Sequence, residues 1–195
     1  MLLHSYTGSQ NSWTYRFPAF TEAGYRVIAP AMRGAYGTIA VPTNLSQLVD
    51  NVVKVLDALN IERAHVVATA FGGAIAIRLA LWNPEHLKTL KLSCSVLGVD
   101  RKTYLARENI VRAAKIRALP ETFKEPGASY RHSNPAGTAM WAEIERESAS
   151  TSGSVVATIR ASPDYEALKK VSTPVRLIYG DQDLQVPPTA ACLLH

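Results

Sequence analysis

Short β-rich runs alternate with helical patterns through the first half of the chain and return near its end. This alternation constrains the fold more than any other feature. Residues 1–4 read as a buried strand. Tyr25, Arg26, Val27, Ile28 and Ala29 read as a second, closed by Pro30. Residues 64–69, 87–92 and 175–179 read as a third, fourth and fifth. Runs of this kind, separated by helices, form crossover units around a parallel sheet. The clearest helix spans 44–59, where Leu45, Leu48, Val49, Val52, Leu56 and Leu59 make one apolar stripe. Asn44 and Gln47 have the spacing of a capping box. A second helix is predicted over 71–82. It opens with Gly72-Gly73, is rich in Ala and Ile, and stops at Asn83-Pro84. Such a helix is buried on most sides, close to the sheet.

Residues 99–170 lose the strand signal. Helical segments there surround a turn-rich stretch from Pro120 to Gly137. They are read as a helical insertion over one edge of the sheet, after which the strand pattern resumes at Pro174.

At 195 residues the chain suits one domain with a small insertion. With 47% hydrophobic and 19% charged residues it can bury a real core. The net charge of +5 raises nucleic acid as a partner. The densest basic group, from Arg101-Lys102 through Arg112, Lys115 and Arg117, is interrupted by Leu105, Ile110, Val111 and Ile116, and reads as a solvated helix face. No nucleic-acid partner is expected. A dinucleotide site is also disfavoured, because no G-x-G-x-x-G follows the first strand. Cys94 and Cys192 have no metal-ligand spacing, so neither a metal nor another cofactor is expected. No apolar run approaches the roughly 18 residues that span a bilayer, and Met1-Leu2-Leu3-His4 lacks the pattern of a signal peptide. The expectation is a cytoplasmic protein without a membrane partner.

The segment Val66-Val67-Ala68-Thr69-Ala70-Phe71-Gly72-Gly73 runs strand, sharp turn, helix. It resembles the nucleophile elbow, G-x-S-x-G, of the α/β-hydrolase fold family. Ala68 stands at the first Gly position, Gly72 at the second, and Ala70 at that of the nucleophilic serine. The surroundings are similar to the family in the same order. Leu2-Leu3-His4-Ser5 matches an apolar strand followed by His-Gly, with Ser5 for the usual Gly. Gly24 to Pro30 with Arg33-Gly34 matches the next strand and loop. Gly180-Asp181-Gln182-Asp183-Leu184-Gln185-Val186-Pro187 matches the loop that presents the catalytic acid.

The resemblance implies an α/β-hydrolase fold with a mostly parallel sheet flanked by helices. Its core would be 1–98 and 171–195, with 99–170 as a helical cap. It implies the acid at Asp183, with Asp181 the weaker candidate, and oxyanion-hole amides near Tyr6 and at Phe71. His4, Ser5 and His132 are candidate pocket residues, and one of Ser93, Cys94 and Ser95 is expected at its border. By the same resemblance the sheet is truncated at both ends, with an exposed apolar edge. The chain is then a fragment, a decayed gene product, or a protein that covers the edge as a homodimer.

The triad itself is incomplete. Ala70 has no nucleophilic atom. A base histidine is expected about 20–30 residues after Asp183, whereas His195 ends the chain sooner and falls on the wrong element. The implied activity is hydrolysis of small carboxylic esters or lactones, with catalysis lost or severely impaired here. The alternative is a non-catalytic protein that binds a small acyl or ester-type ligand, or a partner.

Overall fold

The computed structural model describes residues 1–35, 38, 44–95, 116, 118–149, 163, 165–186 and 188. Its centre is a four-stranded, fully parallel sheet in the order β1-β2-β3-β4. The strands are β1 (Leu2–Leu3), β2 (Ala64–Thr69), β3 (Leu87–Ser93) and β4 (Val175–Ile178). Leu2 pairs with Val67, Val66 with Leu90, and Leu90 with Val175. Four of the five predicted strands are present, each within a residue or two.

The segment 25–29 is the exception. It runs beside β1, and Ile28 O accepts from Leu2 N–H at 2.8 Å. Tyr25 and Arg26 are exposed and the rest half-buried. A two-residue β1 offers too short a ladder to turn that extended run into a strand.

The helix α1 (Phe17–Glu22) follows a 3-10 turn at Gln10–Arg16. The helix α2 (Leu45–Ala58) begins at Asn44, whose side chain accepts from Gln47 N–H at 2.9 Å while Gln47 Oε1 accepts from Asn44 N–H at 3.0 Å. The predicted capping box is therefore formed. Leu45, Leu48, Val49, Val52 and Leu56 are buried along one face. The helix α3 (Phe71–Trp82) packs on β1, β2 and β3, with α2 against it. Nine of its twelve residues, Gly72 to Ala80, are buried.

Gly72 is there for space. A Cβ at that position would lie 2.6 Å from Leu3 O and 2.7 Å from His4 O. A Cβ on Gly73 would collide with Ser95. The two glycines let the first turn of α3 rest directly on the ends of β1 and β3.

Three further helices follow: α4 (Glu121–Lys124), α5 (Ala128–Ser133) and α6 (Pro135–Ala149). They lie in the stretch read as the insertion, and α6 packs on the 3-10 turn after β1. A single short turn, α7 (Tyr165–Leu168), leads back to the sheet. Most of 99–117, including the basic group from Arg101 to Arg117, lies outside the described residues, as do Cys192 and His195. Among the described residues no helix is long and apolar enough to cross a membrane.

Candidate active site

The parallel strands end on one side of the sheet, where α/β proteins place their ligands. A cavity of about 440 Å³ opens there. The ends of the strands and the turns that follow contribute Ser5, Thr69, Ala70, Ser93, Cys94 and Ile178 to its wall. The loop after β4 contributes Asp183, Gln185 and Val186, the turn between α4 and α5 supplies Glu125, and the helices opposite supply Tyr130, Met140, Trp141 and Ile144. Trp13 and Arg16 come from the 3-10 turn.

Ala70 is the sharpest point of the backbone. It caps α3 with φ 46° and ψ −113°, a left-handed conformation that non-glycine residues rarely adopt. The end of β3 and the residues just after it hold it there. Ala70 N–H donates to Ser93 O at 3.0 Å, and Ser95 Oγ donates to Ala70 O at 2.6 Å. Ser95 is itself buried and accepts at its carbonyl from Tyr179 Oη at 2.8 Å. Burial pushes the Tyr179 phenol up to about 12. Cys94 has φ 47° and donates its N–H to Ile178 O at 2.8 Å. Both strained residues border the cavity. The Cys94 thiol is raised by burial, so it rests as a thiol and not a thiolate.

Asp183 is buried in a tight turn. Its Oδ1 accepts from Gln185 N–H at 2.7 Å and Val186 N–H at 2.8 Å. The residue is thus both a turn cap and part of the cavity wall. Asp181 is exposed and does not line the cavity.

The other candidates are not gathered at this point. Tyr6 and Phe71 meet edge to face, with ring centroids 5.9 Å apart. With His4, Met32 and Ala35 they line a separate recess of about 20 Å³, and Ser5 borders both spaces. His4 is 2% exposed. Its Nε2 accepts from Met32 N–H at 3.1 Å, so Nδ1 carries the proton and donates to Ser5 O at 2.7 Å. Burial lowers its pKa and keeps the ring neutral. His4 is a strut between the first strand end and the following loop, not a cavity residue. His132 is exposed on α5 and is absent from the cavity wall, contrary to its candidacy as a pocket residue. A histidine on a short surface helix has no signal in sequence for which side it faces. Among the described residues no histidine lines the cavity, and no group of three His, Cys, Asp or Glu could hold a metal ion.

Sequence reasoning missed Glu125, Trp13 and Trp141. Glu125 accepts from Thr7 Oγ1 at 3.0 Å. Burial pushes its carboxyl up to about 7, with Glu121, Asp183 and Glu145 adding repulsion against the Thr7 hydrogen bond. Its turn lies beside the acid loop, where Leu184 N–H donates to Lys124 O at 3.1 Å. Gln182 Oε1 accepts from Ser129 N–H at 2.9 Å and Ser129 Oγ at 3.0 Å. Arg131 closes the turn, donating to Phe123 O at 2.7 Å and Pro126 O at 2.6 Å. None of this has a periodic signature. The only cue was a Glu-Pro-Gly turn.

A family model described as the alpha/beta hydrolase fold matches residues 1–171. Bifunctional epoxide hydrolase 2 of Sus scrofa is 27% identical over 133 residues, 66% of this chain and 24% of that protein. The 2-hydroxymuconate semialdehyde hydrolase of Pseudomonas sp. (strain CF600) is 41% identical over 85 residues, 42% of this chain and 29% of that protein. The chain thus spans about a quarter of the length of these curated relatives. Among solved structures, a thermophilic esterase from Thermogutta terrifontis superposes with a TM-score of 0.78 over 99% of this chain and 75% of its own. At 18% identity that likeness is one of fold.

Proposed function

The chain belongs to the alpha/beta hydrolase fold family, and from that premise we propose that its cavity holds a small acyl or ester-type ligand without acyl transfer through residue 70. The observation that carries this reading is Ala70. It has the strained φ of 46° and borders the cavity with Asp183, yet presents only a methyl group. No acyl-enzyme forms on a methyl group. Loss of the nucleophile in a serine triad removes several powers of ten in rate, leaving ligand binding and oxyanion stabilisation.

The wall suits such a ligand. Trp13, Tyr130, Met140, Trp141 and Ile144 offer apolar surface for an acyl chain or ring. Trp13 Nε1 and Trp141 Nε1 are buried without a hydrogen-bond partner among the described residues. The helices α4 to α6 act on this reading as a cap, and the ancestral reaction is hydrolysis of small carboxylic esters or lactones.

The test is a titration with an aryl ester, followed by recovery of the ligand. The expected result is saturable binding in the micromolar to millimolar range, with the ester recovered intact. Release of the alcohol above the buffer rate from the unaltered protein would overturn the loss of catalysis. Absence of binding across a set of small esters and lactones would overturn the reading itself.

A further inference from the structure

We propose that Glu125 is the specificity-determining residue of the cavity: protonated, it donates a hydrogen bond to the oxygen of a neutral ester or lactone, and the cavity turns away the corresponding carboxylate. The inference rests on the acyl-binding reading above and names the group that senses the ligand's charge.

Its position comes first. Glu125 sits in the turn between α4 and α5 and reaches the wall opposite the strand ends. The Leu184-to-Lys124 backbone hydrogen bond sets it next to Asp183, and the two Arg131 hydrogen bonds hold the turn closed. One carboxyl oxygen, Oε1, is engaged by Thr7 Oγ1. A proton on the other oxygen makes Glu125 a donor.

The charges around it decide which ligand fits. Asp183 Oδ1 is committed as an acceptor by two backbone N–H groups, and its charge opposes ionisation of Glu125. Glu121 on α4 and Glu145 on α6 add negative charge. Lys124 is paired with Glu121 at 2.7 Å. Arg16, the one cation among the described lining residues, is exposed and donates to Ser12 O. A carboxylate entering this space meets Asp183, and among the described lining residues only the exposed Arg16 could compensate it. An ester oxygen meets a carboxylic acid that can donate. The raised carboxyl, about 7, puts that donor near half-occupancy at neutral pH.

The experiment titrates the whole chain with methyl phenylacetate and with phenylacetate between about pH 5.5 and 8.5, following tryptophan fluorescence from Trp13 and Trp141. The ester is expected to bind best at the acid end and to weaken about tenfold through neutrality. Phenylacetate is expected to bind at least about tenfold more weakly than the ester at pH 7. Glu125→Gln keeps the shape and a donor but cannot ionise, so its ester affinity should be flat with pH. Thr7→Val removes the hydrogen bond that favours the ionised form, so the decline should move to higher pH. An ester affinity in the unaltered protein that ignores pH would overturn the proposal. So would a Glu125→Gln profile that still declines, or equal binding of ester and acid at pH 7. Each of those leaves the acyl-binding reading standing. If neither probe binds any of the proteins at any pH, both fall together.

Discussion

Residue 70 combines a positive φ with a side chain that is only a methyl group. A φ of 46° in a non-glycine residue is strained by about 1–3 kcal/mol and persists only where the surroundings impose it. Here the surroundings are β3 through Ser93 O and the buried Ser95 hydroxyl. Ala70→Gly should therefore leave stability unchanged or raise it by about 1 kcal/mol, because glycine tolerates positive φ. The same exchange at Ala76, buried in the middle of α3, should cost about 1 kcal/mol or more. Paired urea denaturation curves measure both, and an equal loss at the two positions would show that residue 70 carries no strain. His4 gives the opposite lesson about reading single residues. Its place at a strand end drew attention to chemistry, but both ring nitrogens are occupied by backbone partners.

At the scale of elements, the elbow exists because α3 can approach the sheet. Gly72 lies where a Cβ would be 2.6 Å from Leu3 O and 2.7 Å from His4 O, both backbone atoms that cannot move aside alone. Gly72→Ala should push α3 off β1 and cost about 1–3 kcal/mol, lowering Tm by several degrees in a scanning thermal melt. A melt within a degree of the unaltered protein would mean that the helix has room to shift. The α2 helix was fully legible in sequence, since its cap, its stripe and its end are local. The short run 25–29 was not. Its residues favour a strand, but strand status depends on a neighbouring ladder, and β1 supplies only Leu2 N–H to Ile28 O.

For the whole molecule, β4 lies at the end of the strand order among the described residues, with Val175 42% and Ile178 46% exposed. An open apolar edge is a template for pairing. We propose that a second copy of this chain covers it. Sedimentation velocity should then show concentration-dependent association that Val175→Lys weakens, since a charge on an edge strand blocks pairing. A protein that stays monomeric at high concentration, or a variant that associates equally well, would remove the dimer.

What the sequence determined by itself was everything carried by local periodicity and by motif order. That includes β2, β3 and β4, the capped α2, the glycine-opened α3, the alanine where a serine is usual, and the acid loop. Each depends on residues within one turn or one strand of each other, so their spacing alone specifies them. Tertiary structure decided what faces the cavity. Glu125, Trp13 and Trp141 reach it from segments without periodic signal, while His4 and His132 do not line it. The protonation of Glu125 was equally out of reach of the sequence. It comes from burial first, with charge from Glu121, Asp183 and Glu145, and burial and the Asp183 contact, set through Lys124 and Leu184, act through space and not along the backbone.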